Sequence, residues 1–358
     1  MSVKKIAEVE YLRALAILFT LLAHFRFAYS GDQGWVTWLD ARAAFHGGVD
    51  LFFVISGFVI SRSLIPAALG AQGMPAATRV VSDFWVRRVY RLWPSSWLWA
   101  GLGLTVIFFT QRTEVLATIY DVLAAVTQVY NLHAWSCANG VGTCSHQAVG
   151  VYWSLSLEEQ FYVLLPLLLI FLRVRARWVL AGLALLAPIA QTFYPGIGGF
   201  FRWEAFCLGV LLAWALSDAE VGETIATRLL EPLRPILWLG ALALAAALPA
   251  VGAGKLGLFA YPITAALSAG LVLIASVDRG LMRIPRWMGA ALLWVGSRSY
   301  SIYLTHSVVF LVFKYFDGKG WRPAGGWGHV LWLGTATSLI ALVSELNFRF
   351  VESRFRRK

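Results

Sequence analysis

Long apolar stretches separated by short polar loops occupy almost the whole chain. Each stretch runs for about 17–25 residues, the length that a helix needs to cross the hydrocarbon core of a bilayer. Leu, Ala, Val and Phe follow one another in these stretches without the alternation of a barrel strand, so backbone polar groups in lipid must be satisfied within helices. The pattern therefore predicts an all-α fold, a polytopic bundle of transmembrane helices.

The positions of these stretches predict about ten spans. In chain order, we expect them at residues 11–27, 49–69, 97–109, 152–172, 178–194, 199–216, 236–249, 256–276, 289–313 and 329–350. Residues 84–94, FWVRRVYRLWP, interleave arginines with aromatic residues, which is typical of an amphipathic helix at the cytoplasmic interface. We expect Pro94 to follow that helix and to open the third span.

Positive charges in the loops predict the orientation. Lys4 and Lys5 precede the first span, so we expect the N-terminus in the cytoplasm. Residues 113–133 are only moderately apolar. If they spanned, every later basic cluster would move outside, namely 173–177, 217–235, 283–286 and 354–358. We therefore predict that 113–133 is interfacial or re-entrant on the outer side and that both termini are cytoplasmic. Residues 1–358 are expected to form a single membrane domain with no appended soluble domain.

The composition agrees with a membrane protein. Hydrophobic residues make up 59% of the chain and charged residues 14%, whereas a soluble domain is about a quarter charged. The net charge of +11 could suggest a nucleic-acid partner. Because the basic residues fall in short loops between spans, we expect membrane lipid around the chain and no nucleic acid.

Three cysteines bear on the compartment. Cys137 and Cys144 flank the loop CANGVGTC, while Cys207 lies in an apolar stretch. Because no His or Cys at ligand spacing accompanies the pair, we predict a disulfide between Cys137 and Cys144 and no metal site. A disulfide would place the loop on the oxidising side of the membrane. Two unpaired thiols remain the alternative.

The first span, YLRALAILFTLLAHFRF, carries ionisable residues, each of which costs about 2.5–3.5 kcal/mol near the centre of a bilayer. His24 follows Arg13 by eleven positions, which is about 16 Å and three turns of helix, so both project from one face. Alternatively, Arg13 snorkels to the interface and His24 packs structurally. A signal peptide cleaved at Ala28-Tyr29-Ser30 would remove both residues, but the charges within the run favour a retained span.

Further ionisable residues fall near the outer ends of later spans. Asp50 opens the second span, and Glu158 and Glu159 lie about 100° apart on the helix that follows Gly150. Glu204 starts another span, and His306 lies late in an outward-going one. An acidic residue at a helix start can instead only complement the helix dipole. Arg88 and Arg91 fall on the inner face, so we expect a site reached from outside by one molecule and from the cytoplasm by an anionic one.

Six stretches together resemble the acyltransferase-3 family of integral membrane proteins. They occur in the family order over almost the whole chain: Arg13-x10-His24, GVDLFFVISGF at 48–58, Arg88-x-x-Arg91 followed by Pro94, WSLSLEEQFY at 153–162, WEAFCLG at 203–209 and SYSIYLTH at 299–306. The resemblance implies transfer of an acyl group, usually acetyl, from cytoplasmic acyl-CoA to a hydroxyl of a glycan or glycoside. Acetyl-CoA would be a co-substrate, and no tightly bound cofactor is expected.

The resemblance also implies a cellular location for the protein and a way in which the acyl group is transferred. We expect a multi-pass protein of the bacterial inner membrane that O-acetylates a saccharide, as in polysaccharide modification. Some members carry a C-terminal esterase-like domain. The sequence ends at Lys358 after its last predicted span, so we expect direct transfer by the membrane domain.

The roles that the resemblance implies fit the chemistry of the residues. His24 would act as general base or transient acyl acceptor, oriented by Asp50 or Glu158. Arg88 and Arg91 would bind the phosphates of the donor, because a guanidinium matches phosphate in a bidentate way. Arg13 would guide the acyl arm or stabilise charge. Three further residues are candidates for contacting substrate: Trp153, Glu204 and His306.

Two other functional classes fit the same features. A transporter or flippase of a charged lipid or glycan would also place Arg, His and Glu within the membrane, although no repeated half-structure is visible in the sequence. A non-catalytic assembly or sensor protein would not depend on His24.

Overall fold

Residues 6–31, 33–43, 45–193, 199–253, 256, 259–277 and 284–355 are described by the computed structural model. All regular structure in these residues is helical. The helices are α1 (Ala7–His24), α2 (Gly34–Asp40), α3 (Gly47–Gly70), α4 (Gly73–Thr110), α5 (Val115–Val126), α6 (Tyr130–Ala138), α7 (Tyr152–Leu172), α8 (Ala176–Phe193), α9 (Trp203–Ala215), α10 (Ala219–Thr224), α11 (Arg234–Ala253), α12 (Ala260–Ser276), α13 (Arg286–Ser297), α14 (Ser299–Gly318), α15 (Gly325–Asn347) and α16 (Ser353–Phe355).

The chain is a helical membrane protein. Five helical segments in the described residues are long and apolar enough to cross a bilayer: Ala7–Ala28, Gly47–Gly70, Gly73–Thr110, Arg234–Val251 and Gly325–Phe355. A sixth is counted if the bent pair Trp203–Ala215 and Glu220–Leu230 forms one span. The larger number of spans and the cytoplasmic location of both termini remain predictions. Lys4, Lys5, Arg283 and residues 356–358, on which the charge argument partly rests, lie outside the described residues.

The expectation that Pro94 separates an interfacial helix from a third span is wrong. α4 is one helix of 38 residues that contains Pro94. On either side of Pro94, backbone carbonyls accept hydrogen bonds from tyrosines of two other helices. Tyr300 donates to the oxygen of Leu92 at 2.6 Å, and Tyr152 donates to that of Ser96 at 2.7 Å. Pro94 itself leaves the carbonyl oxygen of Tyr90, four residues earlier, without its intrahelical donor, and the helix continues past this missing bond, as membrane helices that contain proline can.

The predicted span 289–313 is also corrected, because it is two helices. α13 ends at Ser297 and α14 begins at Ser299, with Arg298 between them in a non-helical conformation. The guanidinium of Arg298 pairs with Glu345 of α15 at 2.9 Å and lies over the ring of Phe348. This anchoring at a helix break is a tertiary contact that an apolar run does not reveal.

Residues 113–133 form short helices. α5 has 12 residues and rises about 18 Å, less than the roughly 30 Å of a bilayer core. A chain reversal that the charge argument requires is also present: Arg173, in the turn between α7 and α8, contacts the carbonyl oxygens of Leu69 and Ala71 at the end of α3. The end of α3 and the α7–α8 turn therefore lie at the same end of their unit.

Contacts within the chain define two compact units, and the first comprises Met1–Phe19, Ala41–Phe84 and Phe161–Ser297. Its centre is the packing of α3 against α9. A Cβ on Gly57 would overlap the backbone oxygen of Phe206, and a Cβ on Gly209 would overlap that of Val54. Small residues let membrane helices approach to backbone contact, so both glycines serve close packing.

The second unit comprises Thr20–Asp40, Trp85–Gln160 and Arg298–Lys358, and α14 is its most buried helix. At one end of this unit, Asp317 accepts hydrogen bonds from the N–H and the hydroxyl of Ser30, both at 2.8 Å. At the same end, Lys314 approaches Gln147 in the loop that follows α6, at 3.5 Å. Three segments predicted to face outside thus meet there.

Candidate active site

Each of five polar residues on α14 forms a hydrogen bond with a different segment of the chain. Buried polar groups need partners, so these bonds fix the rotation of the helix. Their partners are Leu92 of α4 for Tyr300, Glu352 near the C-terminus for Ser301, Ser154 of α7 for Tyr303, Ser344 of α15 for Thr305 and His24 of α1 for His306. The sequence SYSIYLTH therefore links several elements of the second unit by hydrogen bonds, and these bonds hold His306 against His24.

His24 and His306 form a hydrogen-bonded pair. Nδ1 of His24 lies 3.0 Å from Nε2 of His306, and the two rings are nearly parallel, with 6° between their planes. His306 is fully buried, whereas His24 is partly exposed at the end of α1. A buried histidine that is hydrogen-bonded to a partly exposed one can determine which ring nitrogen of the exposed histidine carries the proton.

The protonation pattern of the pair follows from its third partner. Nδ1 of His306 lies 3.2 Å from the carbonyl oxygen of Ile302, which can only accept a hydrogen bond. In neutral His306 the proton is therefore on Nδ1, and Nε2 carries a lone pair. His24 must then donate its Nδ1–H to that lone pair, which places the lone pair of neutral His24 on Nε2. The arrangement fixes the tautomer that a general base requires.

A cavity of about 240 Å³ adjoins the end of α1. It is lined by Arg26, Phe27, Tyr29, Gly31, Gln33, Val36 and Thr37, and the ring of Phe27 lies 5.5 Å from that of His24. Burial raises the pKa of Tyr29 to about 12, so its hydroxyl stays protonated at neutral pH. With one cation, several hydrogen-bonding groups and two aromatic rings, the lining suits a small polar molecule that carries hydroxyl groups.

A second, narrower cleft brings Glu158 and Glu159 of α7 next to α4. Its volume is about 10 Å³, room for roughly one water molecule, and Trp93, Gln128 and Tyr300 are among its lining residues. Glu159 interacts electrostatically with Glu158 and with Arg88. The expectation that Glu158 lies on the outer side and Arg88 and Arg91 on the inner face stays a prediction.

One side-chain nitrogen of Arg91 lacks a protein partner within the described part of the chain. Its Nε is buried and has no hydrogen-bond partner among the described residues. The Nε–H of Arg91 can therefore donate to a further group, a property that it shares with other buried atoms such as Nε1 of Trp93 and Nε of Arg202. Arg91 is half-buried on α4, one turn from Arg88.

In the first unit, Arg13 and Asp50 have partners of their own. Arg13 pairs with Glu10 one turn away, at 3.5 Å. Both oxygens of the buried Asp50 carboxylate lie 3.1 Å from the guanidinium of Arg202, and the hydroxyl of Thr264 donates to Asp50 at 2.7 Å. The role of Asp50 as orienter of His24 stays a prediction, whereas its part in this buried ion pair is observed.

The remaining predicted residues take separate positions. Glu204 is buried in the first turn of α9, and Gln191 of α8 lies 3.4 Å from it. Trp153 is half-buried at the start of α7. Cys137 and Cys144 are joined in a disulfide, with 6.3 Å between their Cα atoms. Cys207 is a buried free thiol.

Comparison with known proteins identifies the family. The profile described as Acyltransferase domain, of the acyltransferase-3 family, matches residues 6–345, almost the whole chain. The chain belongs to the acyltransferase-3 family. It is 25% identical over 375 residues to the O-acetyltransferase OatA of Staphylococcus aureus strain COL, covering 100% of this chain and 58% of OatA. A second protein of that strain, named provisionally as an O-acetyltransferase, is 26% identical over 378 residues, with the same coverage of both chains.

The acyltransferase-3 chain thus spans 58% of the length of these curated relatives. No solved structure gives a significant match.

Sequence reasoning missed the partners more often than the residues. His306 was noted only as a candidate for contacting substrate, yet it bonds to His24 across a separation of 282 residues. Arg202 was visible at a helix start, but its link to Asp50 was not. The one local signal was the dense run of polar residues in SYSIYLTH, since so many polar groups on a buried helix must each find a partner.

Proposed function

We propose that this acyltransferase-3 chain is an O-acetyltransferase of the bacterial inner membrane. It would move an acetyl group from cytoplasmic acetyl-CoA to a hydroxyl of a glycan or glycoside at the outer side. The observation that carries the proposal is the His24–His306 pair with its fixed tautomer, beside a cavity suited to a hydroxylated molecule. The names of the relatives favour acetyl as the acyl group.

In this mechanism, His24 is the base. The acceptor hydroxyl attacks the thioester carbonyl carbon while Nε2 of His24 takes the hydroxyl proton. The C–S bond then breaks, and the proton passes from His24 to the leaving thiolate. His306 keeps the ring of His24 in place and accepts its Nδ1–H throughout, so the imidazolium forms without rearrangement. General base catalysis of this kind contributes about 10²–10⁴-fold. Transient acetylation of His24 is the variant of this route.

Arg88 and Arg91 would bind the phosphates of the donor. The unpaired Nε of Arg91 supports this role, because a phosphate oxygen would satisfy it. Glu159 already interacts electrostatically with Arg88, and this carboxylate would compete with the donor phosphate for that guanidinium. The basic pair would therefore act with unequal strength, with Arg91 contributing more to affinity for the donor.

The test measures transfer of labelled acetyl groups from acetyl-CoA to cell-envelope glycans, using purified protein in lipid vesicles. His24→Ala should abolish turnover while the thermal unfolding temperature in detergent is kept. His306→Leu should lower kcat by about 10²-fold or more and leave KM for acetyl-CoA unchanged, because it frees the tautomer of the base. His306→Gln, whose amide oxygen can accept the Nδ1–H, should recover part of the loss. Normal turnover in folded His24→Ala would refute the proposed base.

The donor site has its own matched pair of variants. Arg91→Ala should raise KM for acetyl-CoA by about 10-fold, since a charge-assisted hydrogen bond contributes roughly 1.5–3 kcal/mol. Arg87→Ala is the control, because Arg87 is an exposed arginine on the same helix. Equal effects of the two variants would show that only the net charge of α4 matters. Movement of glycan across vesicles without consumption of acetyl-CoA would instead indicate a transporter.

A further inference from the structure

Four metal-binding side chains converge around the loop that follows α6. Asp121 comes from α5, His133 and Cys137 from α6, and Cys144 from the loop itself. Nε2 of His133 lies 2.9 Å from Oδ1 of Asp121 and 3.1 Å from Sγ of Cys144. The ligand atoms of His133 and the two cysteines all lie within 4.8 Å of one another. The two cysteine side chains are here joined in a disulfide.

The spacing of these atoms is close to that of a tetrahedral zinc site. Zinc binds sulfur at about 2.3 Å and nitrogen or oxygen at about 2.0–2.2 Å, so neighbouring ligands of a tetrahedron are roughly 3.3–3.8 Å apart. His133 already lies near this distance from both Asp121 and Cys144. Once their bond is reduced, the two sulfur atoms must separate, and Asp121 and Cys137, which have His133 and Cys144 as common neighbours, must both approach the ion. The Cα atoms of the cysteines are 6.3 Å apart, so their side chains can turn to share one ion.

The surroundings hold the ligands in place before any ion binds. Asp121 is fully buried, and its Oδ2 accepts the backbone N–H groups of Ser145 at 3.0 Å and His146 at 2.6 Å. The hydroxyl of Tyr130 lies 2.8 Å from Nδ1 of His146. Outer contacts of this kind orient metal ligands and raise affinity. A ligand atom of His146 also lies within 4.8 Å of those of Asp121 and Cys144, but Tyr130 contacts the His146 ring, so we assign His146 to an outer position and take the other four groups as the ligands.

We propose that Asp121, His133, Cys137 and Cys144 form a redox-dependent zinc site. A dithiol reductant donates two electrons and two protons to the disulfide and is itself oxidised to a disulfide, which leaves two cysteine thiols. Binding of Zn²⁺ releases the two thiol protons, and the thiolates join the carboxylate and the imidazole as ligands. The loop is then closed either by the disulfide or by the ion. This site is independent of the proposed acetyl transfer.

The sequence alone argued against zinc because no ligand spacing accompanies the cysteines. The folded chain supplies the other ligands from two helices. His133 precedes Cys137 by one helical turn, and Asp121 comes from the helix before. The spacing His-x3-Cys-x6-Cys of residues 133–144 was therefore a local signal for three of the ligands, whereas Asp121 joins them only in the folded chain.

The test compares three forms of the purified full chain: untreated, reduced with a phosphine in metal-free buffer, and reduced and then alkylated. Each form is incubated with Zn²⁺, freed of excess metal and assayed for bound zinc. We expect about one zinc per chain in the reduced form only. Cobalt should give the visible absorption of a tetrahedral thiolate site in the same form. A reduced chain without stoichiometric zinc would overturn the proposal.

Variants assign the ligands. Cys144→Ser and His133→Gln should each weaken zinc binding by at least about 100-fold, beyond the 10–100-fold cost of losing an outer contact. Cys207→Ser is the matched control, because it removes the buried thiol of α9 and should leave zinc binding unchanged. If instead Cys207→Ser abolishes binding, or Cys144→Ser does not affect it, the assignment is wrong. The alkylated wild-type chain keeps the test valid should a variant fail to fold.

Discussion

Replacing Arg202 by methionine separates a structural role of Asp50 from a catalytic one. The side chains of Asp50 and Arg202 are 1% and 6% exposed and make contact through one guanidinium nitrogen at 3.1 Å. The guanidinium also lies over the ring of Tyr261, 4.2 Å from its centre. Arg202→Met removes the cation and keeps much of the side-chain volume. The carboxylate of Asp50 then remains buried with only Thr264 as a described hydrogen-bond donor.

The expected loss of stability in Arg202→Met follows from the burial of the Asp50–Arg202 ion pair. Removing one partner of a buried ion pair costs about 3–5 kcal/mol, because the other charge is left without compensation. At about 2 °C per kcal/mol, the lower end for chains of 150–250 residues, this corresponds to a fall of about 6–10 °C in the unfolding temperature. Replacing both partners, Asp50→Asn with Arg202→Met, removes both charges. We expect it to recover most of the loss.

The assay is thermal unfolding of purified protein in detergent, followed by intrinsic tryptophan fluorescence and by size-exclusion recovery. Arg234→Met is the matched control. Arg234 pairs with Glu231 at 2.9 Å, but the two side chains are 47% and 37% exposed. Surface pairs contribute roughly 0–1 kcal/mol, so this variant should shift the unfolding temperature by no more than about 2 °C.

Two results would refute the reasoning. One is a double variant as unstable as Arg202→Met, which would mean that the charges are not coupled. The other is an Arg202→Met effect no larger than that of Arg234→Met. Acetyl transfer by the folded double variant adds a functional readout. Retained turnover would show that Asp50 acts only in the ion pair, whereas loss of turnover at normal stability would support its role as orienter of His24.

Two further outcomes are expected. Gly57→Ala should destabilise the chain by about 1–3 kcal/mol, because the added Cβ would overlap a backbone oxygen of α9. Gly182→Ala is the control and should not destabilise the chain, because the space around Gly182 is open. Equal unfolding temperatures of the two variants would contradict this packing. Partial burial opposes the ionisation of Asp317, but hydrogen bonds from Ser30 and Arg322 outweigh it and hold the pKa of that carboxyl below its usual value. The hydrogen bonds from Ser30 to Asp317 are therefore fully present above the ordinary carboxyl pKa of about 3.9, and they are lost as the pH falls through the lower pKa of the folded state. Hydrogen exchange of the Ser30 amide should report this loss. If the pH dependence of that exchange is the same in Asp317→Asn, the prediction is contradicted.

Local patterns in the sequence determined much of the helical architecture. The apolar run 152–172 coincides with α7, and the run 49–69 differs from α3 by only a residue or two. Both follow from hydrophobicity and length, which are properties of consecutive residues. For 113–133, moderate apolarity and the later basic clusters predict that it does not span, and the structure shows short helices in this stretch. Candidate residues could also be named, because an ionisable group in a lipid-spanning run is costly wherever its partner lies.

Tertiary structure decided which of those groups meet. His24 bonds to His306, Asp50 to Arg202, and Glu159 lies near Arg88, although each pair is far apart in sequence. Pro94 lies inside a continuous helix, and tyrosines from two other helices bind the nearby carbonyls of Leu92 and Ser96. These outcomes depend on how each helix is rotated about its axis and on which helices lie next to it. The hydrophobic period and the length of an apolar run determine neither. The sequence therefore determines which buried charges need partners, and only packing between helices decides the partners they have.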